Sequence, residues 1–174
     1  MKLNKSFSIA LFLLSFNTYA MTNYITKIEI LGKKPNQIFD FMLSLNKEKY
    51  LNWHPEHKDF AVINQTENKI GTVFYFYEKM DKLTVKYKWE VVEFTQNHKV
   101  VMKAKYFIPI YLTLTFDETE NGTLVTHDIQ LGYKKKTIGI IDWVIKSFVF
   151  TKSKELSNER HAIEEFKNLE KIIQ

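Results

Sequence analysis

The chain has 174 residues, 45% of them hydrophobic and 15% aromatic, with only 5 Gly and 3 Pro, which describes one ordered domain with a sizeable core rather than a linker or a disordered tail. It has no cysteine, so disulfides, zinc–thiolate sites and thiol nucleophiles are excluded, and any metal must be held by histidine and carboxylate. The net charge of +5 is scattered, Lys134-Lys135-Lys136 being its one compact run, and without a basic stripe bearing interleaved aromatics no nucleic-acid partner is expected.

Lys2 and Lys5 precede a short apolar run, Phe7 to Phe16, and Thr18-Tyr19-Ala20 ends in a small residue. That is the layout of a secretory signal peptide over 1–20, and the run is short for a membrane-spanning helix. The expectation is a periplasmic or secreted protein with a single domain over 22–173. Translation from Met21 would instead give a cytoplasmic one.

Residues 24–32 alternate as a strand. Pro35 opens a helix whose apolar face is Ile38, Phe39, Phe41, Met42 and Leu45. A short second helix over 46–51 leads into a loop, Trp53-His54-Pro55-Glu56-His57. Five strands follow near 59–66, 70–80, 82–94, 98–107 and 110–118, and Asn121-Gly122 marks a hairpin into a last strand at 123–133. Apolar 137–150, beside the three lysines, packs on its own domain or touches an anionic membrane surface weakly. A helix over 152–173 closes the chain, with Ala162, Phe166, Leu169 and Ile173 in one stripe.

This order resembles the helix-grip fold of the START-like (SRPBCC) superfamily, an α+β arrangement. The resemblance implies a curved antiparallel sheet wrapped around the long C-terminal helix, with two short helices after the first strand. It also implies a cavity for a small hydrophobic or aromatic molecule.

Alternation places Thr72, Phe74, Phe76 and Glu78 on one strand face, so Glu78 is the carboxylate expected to face that cavity. His127, among Val125, Ile129 and Leu131, is also expected inward, as a core residue or a substrate contact. On the last helix, His161 and Glu165 lie four apart, with Cβ atoms about 5–6 Å from each other. The turn of the helix puts Glu165 between His161 and the apolar stripe, and Glu164 on the far side. A loop histidine (His57 or His54, with His57 favoured), Glu78, His161 and Glu165 would then form a two-imidazole, two-carboxylate set suited to a divalent first-row metal, zinc foremost.

This set is similar to that of the phloretin hydrolase and 2,4-diacetylphloroglucinol hydrolase family, helix-grip zinc enzymes that cleave a carbon–carbon bond beside an aryl ketone. The resemblance implies a metal-dependent hydrolase of an aromatic or acylated phenolic substrate. His127, Tyr106 or Tyr111 would supply a proton or orient the substrate, and Trp53, Phe74, Phe76 and Trp89 would line its pocket. The competing expectation is a non-catalytic carrier of a lipid, quinone or polyketide-like ligand.

Overall fold

A computed structural model describes residues 18–19, 22–80, 83–104, 108–132, 136–137 and 152–173. Thr18–Tyr19 (β1) pairs with Lys136–Thr137 (β9) as a two-residue antiparallel ribbon. The principal sheet is antiparallel throughout and contains Thr22–Leu31 (β2), His57–Asn64 (β3), Val73–Met80 (β4), Leu83–Thr95 (β5), Lys99–Ala104 (β6), Ile110–Glu118 (β7) and Gly122–Leu131 (β8). Its order is β2-β8-β7-β6-β5-β4-β3, so the meander from β3 to β8 is closed by β2 pairing back onto β8. Two short helices, Pro35–Leu43 (α1) and Lys47–Trp53 (α2), connect β2 to β3, and Lys152–Ile172 (α3) is the long C-terminal helix. This is the helix-grip fold.

Local chemistry accounts for the elements. Pro35 occupies the first turn of α1, where its missing N–H costs nothing, and the Asn46 side chain caps α2 by accepting from the Lys49 N–H. The β7–β8 hairpin turns at Asn121-Gly122, and a side chain at Gly122 would run into the Ile30 carbonyl oxygen. The stripe Ala162, Phe166, Leu169 and Ile173 is buried against the sheet and α2. Phe166, 1% exposed, meets Trp53 edge-on at 6.1 Å, and Phe39 meets Phe116 edge-on at 4.9 Å. Full burial of one such ring contributes about 2–3 kcal/mol.

Two features differ from the sequence expectation. The second helix runs to Trp53, so Trp53 is held by a helix rather than a loop, and the next strand begins at His57. A bulge in β3 explains the second. His57 pairs with Glu78 and Asp59 with Tyr77, leaving Lys58 as an extra residue. His57 and Phe60 are three apart and would face opposite sides of a regular strand, yet both are buried with Lys58 exposed between them.

Residues 1–17 and 20–21, covering most of the expected signal peptide, lie outside the described residues, as do Tyr106 and 138–150. Among the described residues, no helix is long and apolar enough to cross a membrane.

Candidate metal centre

Three elements deliver the four polar residues of the cluster to one end of a cavity of about 300 Å³ between the sheet and α3. Position 57 comes from the bulged start of β3, Glu78 from the end of β4, and His161 and Glu165 from successive turns of α3. His57 Nε2 is 2.7 Å from Glu165 Oε1 and 3.6 Å from Glu78 Oε2. His161 Nε2 is 3.6 Å from Glu165 Oε1 and 3.7 Å from Glu78 Oε2. One ligand atom from each of the four lies within 4.8 Å of every other.

The outer contacts decide which nitrogens face the centre. His57 Nδ1 is 2.7 Å from the Tyr50 carbonyl oxygen, which can only accept, so Nδ1 carries the hydrogen and Nε2 is directed at the carboxylates. His161 Nδ1 donates in the same way to Glu56 Oε2 at 3.2 Å. The Tyr50 hydroxyl donates to Glu78 Oε2 at 2.8 Å, and the Trp53 indole N–H donates to the backbone oxygen of Glu165 at 2.7 Å. Imidazoles oriented through their second nitrogen by a carbonyl or a carboxylate are the usual outer sphere of a metal site.

A divalent ion fits this donor set. Ligands about 2.1 Å from a tetrahedral ion stand roughly 3.4 Å apart, close to three of the four separations, while the fourth closes to hydrogen-bond length. His161 Nε2 is buried and has no hydrogen-bond partner among the described residues, which is how a nitrogen reserved for a metal would look.

Electrostatics follow from the crowding. Burial works against the His161 cation, but Glu78, Glu165 and Glu56 outweigh it and raise its pKa to about 9. Burial likewise disfavours ionised Glu165, yet the hydrogen bond from His57 and the nearby His161 bring its carboxyl down to about 2. Burial, then the Glu78 and Glu165 charges, push the Tyr50 phenol far up, so it stays a donor.

The remaining sequence candidates separate. His54 caps α2; its Nδ1 accepts the Glu56 N–H at 3.2 Å and its Nε2 faces exposed Glu164 at 3.5 Å, while its ring lies 4.7 Å from that of His161, so that His54, His57 and His161 make a second group whose ligand atoms lie within 4.8 Å of one another. Burial, then the neighbouring His161, lowers the pKa of His54. His127 lines the cavity, 6.4 Å edge-on from the Phe166 ring, and burial lowers its pKa too. Trp53, Phe74, Phe76 and Trp89 all line the cavity. Tyr111 does not: Ile110, Leu112 and Leu114 face the cavity, so Tyr111 is on the outer face, with Lys103 Nζ 5.6 Å above its ring. Its expected role beside a substrate is therefore corrected.

Tyr50 and Glu56 were missed as site residues. Glu56 was visible inside the Trp-His-Pro-Glu-His run, but its reach to α3 was not. The Tyr50 ring stacks on His57 with centroids 3.7 Å apart. Their seven-residue separation crosses a helix end and a turn, and carries no periodic signal.

No protein-family model matches the chain, and no curated protein sequence matches it. Solved structures do. Ginseng major latex-like protein 151 from Panax ginseng superposes with a TM-score of 0.64 at 13% identity, covering 88% of this chain and 98% of that one. Ara h 8.0201 gives 0.63 at 9% identity, covering 88% and 97%. The Zhui aromatase/cyclase from Streptomyces sp. R1128 gives 0.57 at 6% identity, covering 84% and 94%. At these identities the likeness is one of fold: the chain has the helix-grip architecture found in plant latex-like proteins and a bacterial aromatase/cyclase.

Proposed function

We propose that the protein takes a small apolar or aromatic molecule into its cavity and binds a divalent metal, zinc foremost, through His57, Glu78, His161 and Glu165. The supporting observation is the paired outer sphere, in which Tyr50 and Glu56 turn both Nε2 atoms toward the two carboxylates. The finer reading is a hydrolase acting beside the ketone of an acylated phenol. A divalent ion in this set acts as a Lewis acid toward a carbonyl oxygen and makes a water molecule a stronger nucleophile. The apolar walls, Phe74, Phe76 and Trp89 among them, hold the ring and exclude bulk water. His127, kept neutral by burial, offers a nitrogen to orient the ligand or pass a proton to it.

A second reading, a carrier without chemistry, draws on a different observation. Beyond the cluster most of the lining is hydrocarbon, including Met42, Leu45, Phe60, Leu112, Leu114 and Ile129, and the similar folds include Ara h 8.0201 and the ginseng major latex-like protein 151. On this reading the cavity is itself the function.

Metal analysis of protein purified without a polyhistidine tag, after growth with zinc, manganese, iron, cobalt and nickel, tests the metal. About one equivalent of a single ion is expected, and none with any of them would leave the carrier. Release of a carboxylic acid from acylated phenols by the loaded protein then separates hydrolase from carrier.

A further inference from the structure

The cavity has a second polar end. On β4 the inward residues run from Thr72, just before the strand, through Phe74 and Phe76 to Glu78. Six residue steps of extended chain lead from Thr72 to Glu78, about 20 Å at 3.3 Å per residue. The backbone confirms which end Thr72 occupies: the Val91 N–H donates to the Thr72 oxygen at 2.9 Å, whereas Glu78 pairs with Val85. The rings of Phe74, Phe76, Tyr87 and Trp89 line the wall between them.

Lys69 also lines this remote end. It lies in the turn between β3 and β4, half-buried, with a left-handed φ of 67°. The turn is pinned by the Lys69 N–H to the Thr66 oxygen at 3.3 Å and the Thr72 N–H to the Lys69 oxygen at 3.1 Å. Among the described residues, no carboxylate forms an ion pair with the Lys69 ammonium. Nearby Thr72 already hydrogen-bonds Thr66, with 3.0 Å between the two hydroxyl oxygens. A cation beside an apolar wall, with no ion-paired carboxylate among the described residues, suits a ligand that brings one.

We propose that this end is an anion subsite and that the ligand is an elongated amphiphile. Its carboxylate meets Lys69, its apolar body lies along Phe74, Phe76 and Trp89, and its opposite end reaches the His/Glu cluster. A carboxylate is the matching group because one lysine supplies one positive charge and no arginine fork. The inference rests on the reading that the cavity takes a small apolar ligand, and it adds the ligand's charge and orientation.

The test is displacement of Nile red, a neutral probe, by lauric acid and by methyl laurate, chains of equal length with and without the charge. Lauric acid is expected to displace it from the wild type at a concentration about fivefold lower, roughly one charge pair at a partly exposed site. Lys69→Met keeps the stem and removes the charge; it should abolish that preference while leaving methyl laurate unchanged. Equal potency on the wild type would overturn the subsite and leave the cavity reading intact. A preference that survives Lys69→Met would also overturn it, by placing the carboxylate elsewhere. Failure of Nile red and both chains to bind would remove the cavity reading and the subsite with it.

Discussion

Tyr50 holds His57 in two ways: its carbonyl accepts the Nδ1 hydrogen at 2.7 Å, and its ring lies parallel to the imidazole with an interplanar angle of 4°. Its hydroxyl, donating to Glu78, links a second member of the cluster to the same residue. Tyr50→Phe retains the ring and the carbonyl and removes only the bond to Glu78. Metal affinity, measured by chelator competition, is expected to fall about 10- to 100-fold, the usual cost of losing an outer-sphere partner. An unchanged affinity would show that Glu78 needs no such support.

The helix pair is tested by removing both members. His161→Ala with Glu165→Ala should abolish stoichiometric metal in the untagged protein, because two of four ligands are lost and His57 and Glu78 alone cannot complete the set. Circular dichroism should still report the helix-grip secondary structure, since neither residue belongs to the apolar stripe of α3. Metal retained at one equivalent would move the site elsewhere.

The raised pKa of His161, about 9, fixes a sign. An ordinary histidine titrates near 6.5 when unfolded. In metal-free protein its charge therefore contributes stability that is fully present below about pH 6.5 and lost as pH rises through about 9. A divalent ion competes with that proton, so metal affinity should climb roughly tenfold per pH unit toward pH 9 and then level off. Titrations across this range check both limbs. A flat affinity would mean that no proton leaves His161 on binding.

Phe166 tests the mechanical link between core and site. It is 1% exposed, follows Glu165 directly and packs on Trp53, whose indole holds the Glu165 carbonyl. Phe166→Ala should cost about 3–5 kcal/mol in urea unfolding. A loss under about 1 kcal/mol would mean that the core closes over the space.

Much of the scaffold was legible because periodicity reports burial directly. The alternation of Phe74, Phe76 and Glu78 gave the inner face of β4, and the spacing of Ala162, Phe166, Leu169 and Ile173 gave the buried stripe of α3. Helical angle alone distinguished Glu165, which contacts His57, from Glu164, which lies exposed against His54. Tyr111 went the other way: residue type made it a candidate, and its strand phase, opposite to Ile110 and Leu112, removes it.

The choice between His54 and His57 lay beyond the sequence. Strand alternation continued back from Phe60 would have turned His57 outward, and only the extra residue at Lys58 brings it in. The outer contacts of Tyr50 and Glu56 are equally invisible, because their partners on β4 and α3 lie 28 and 105 residues away. The sequence by itself determined the absence of thiolate ligands, from composition, and the order of elements and the His161–Glu165 pair, which depend on neighbours within a few residues. The tertiary structure brings His57 to the two carboxylates, turns its Nε2 and that of His161 toward them, and places Lys69 on the cavity lining. Those placements depend on a bulge and on distant strands brought into register, where the separation along the chain carries no periodic signal.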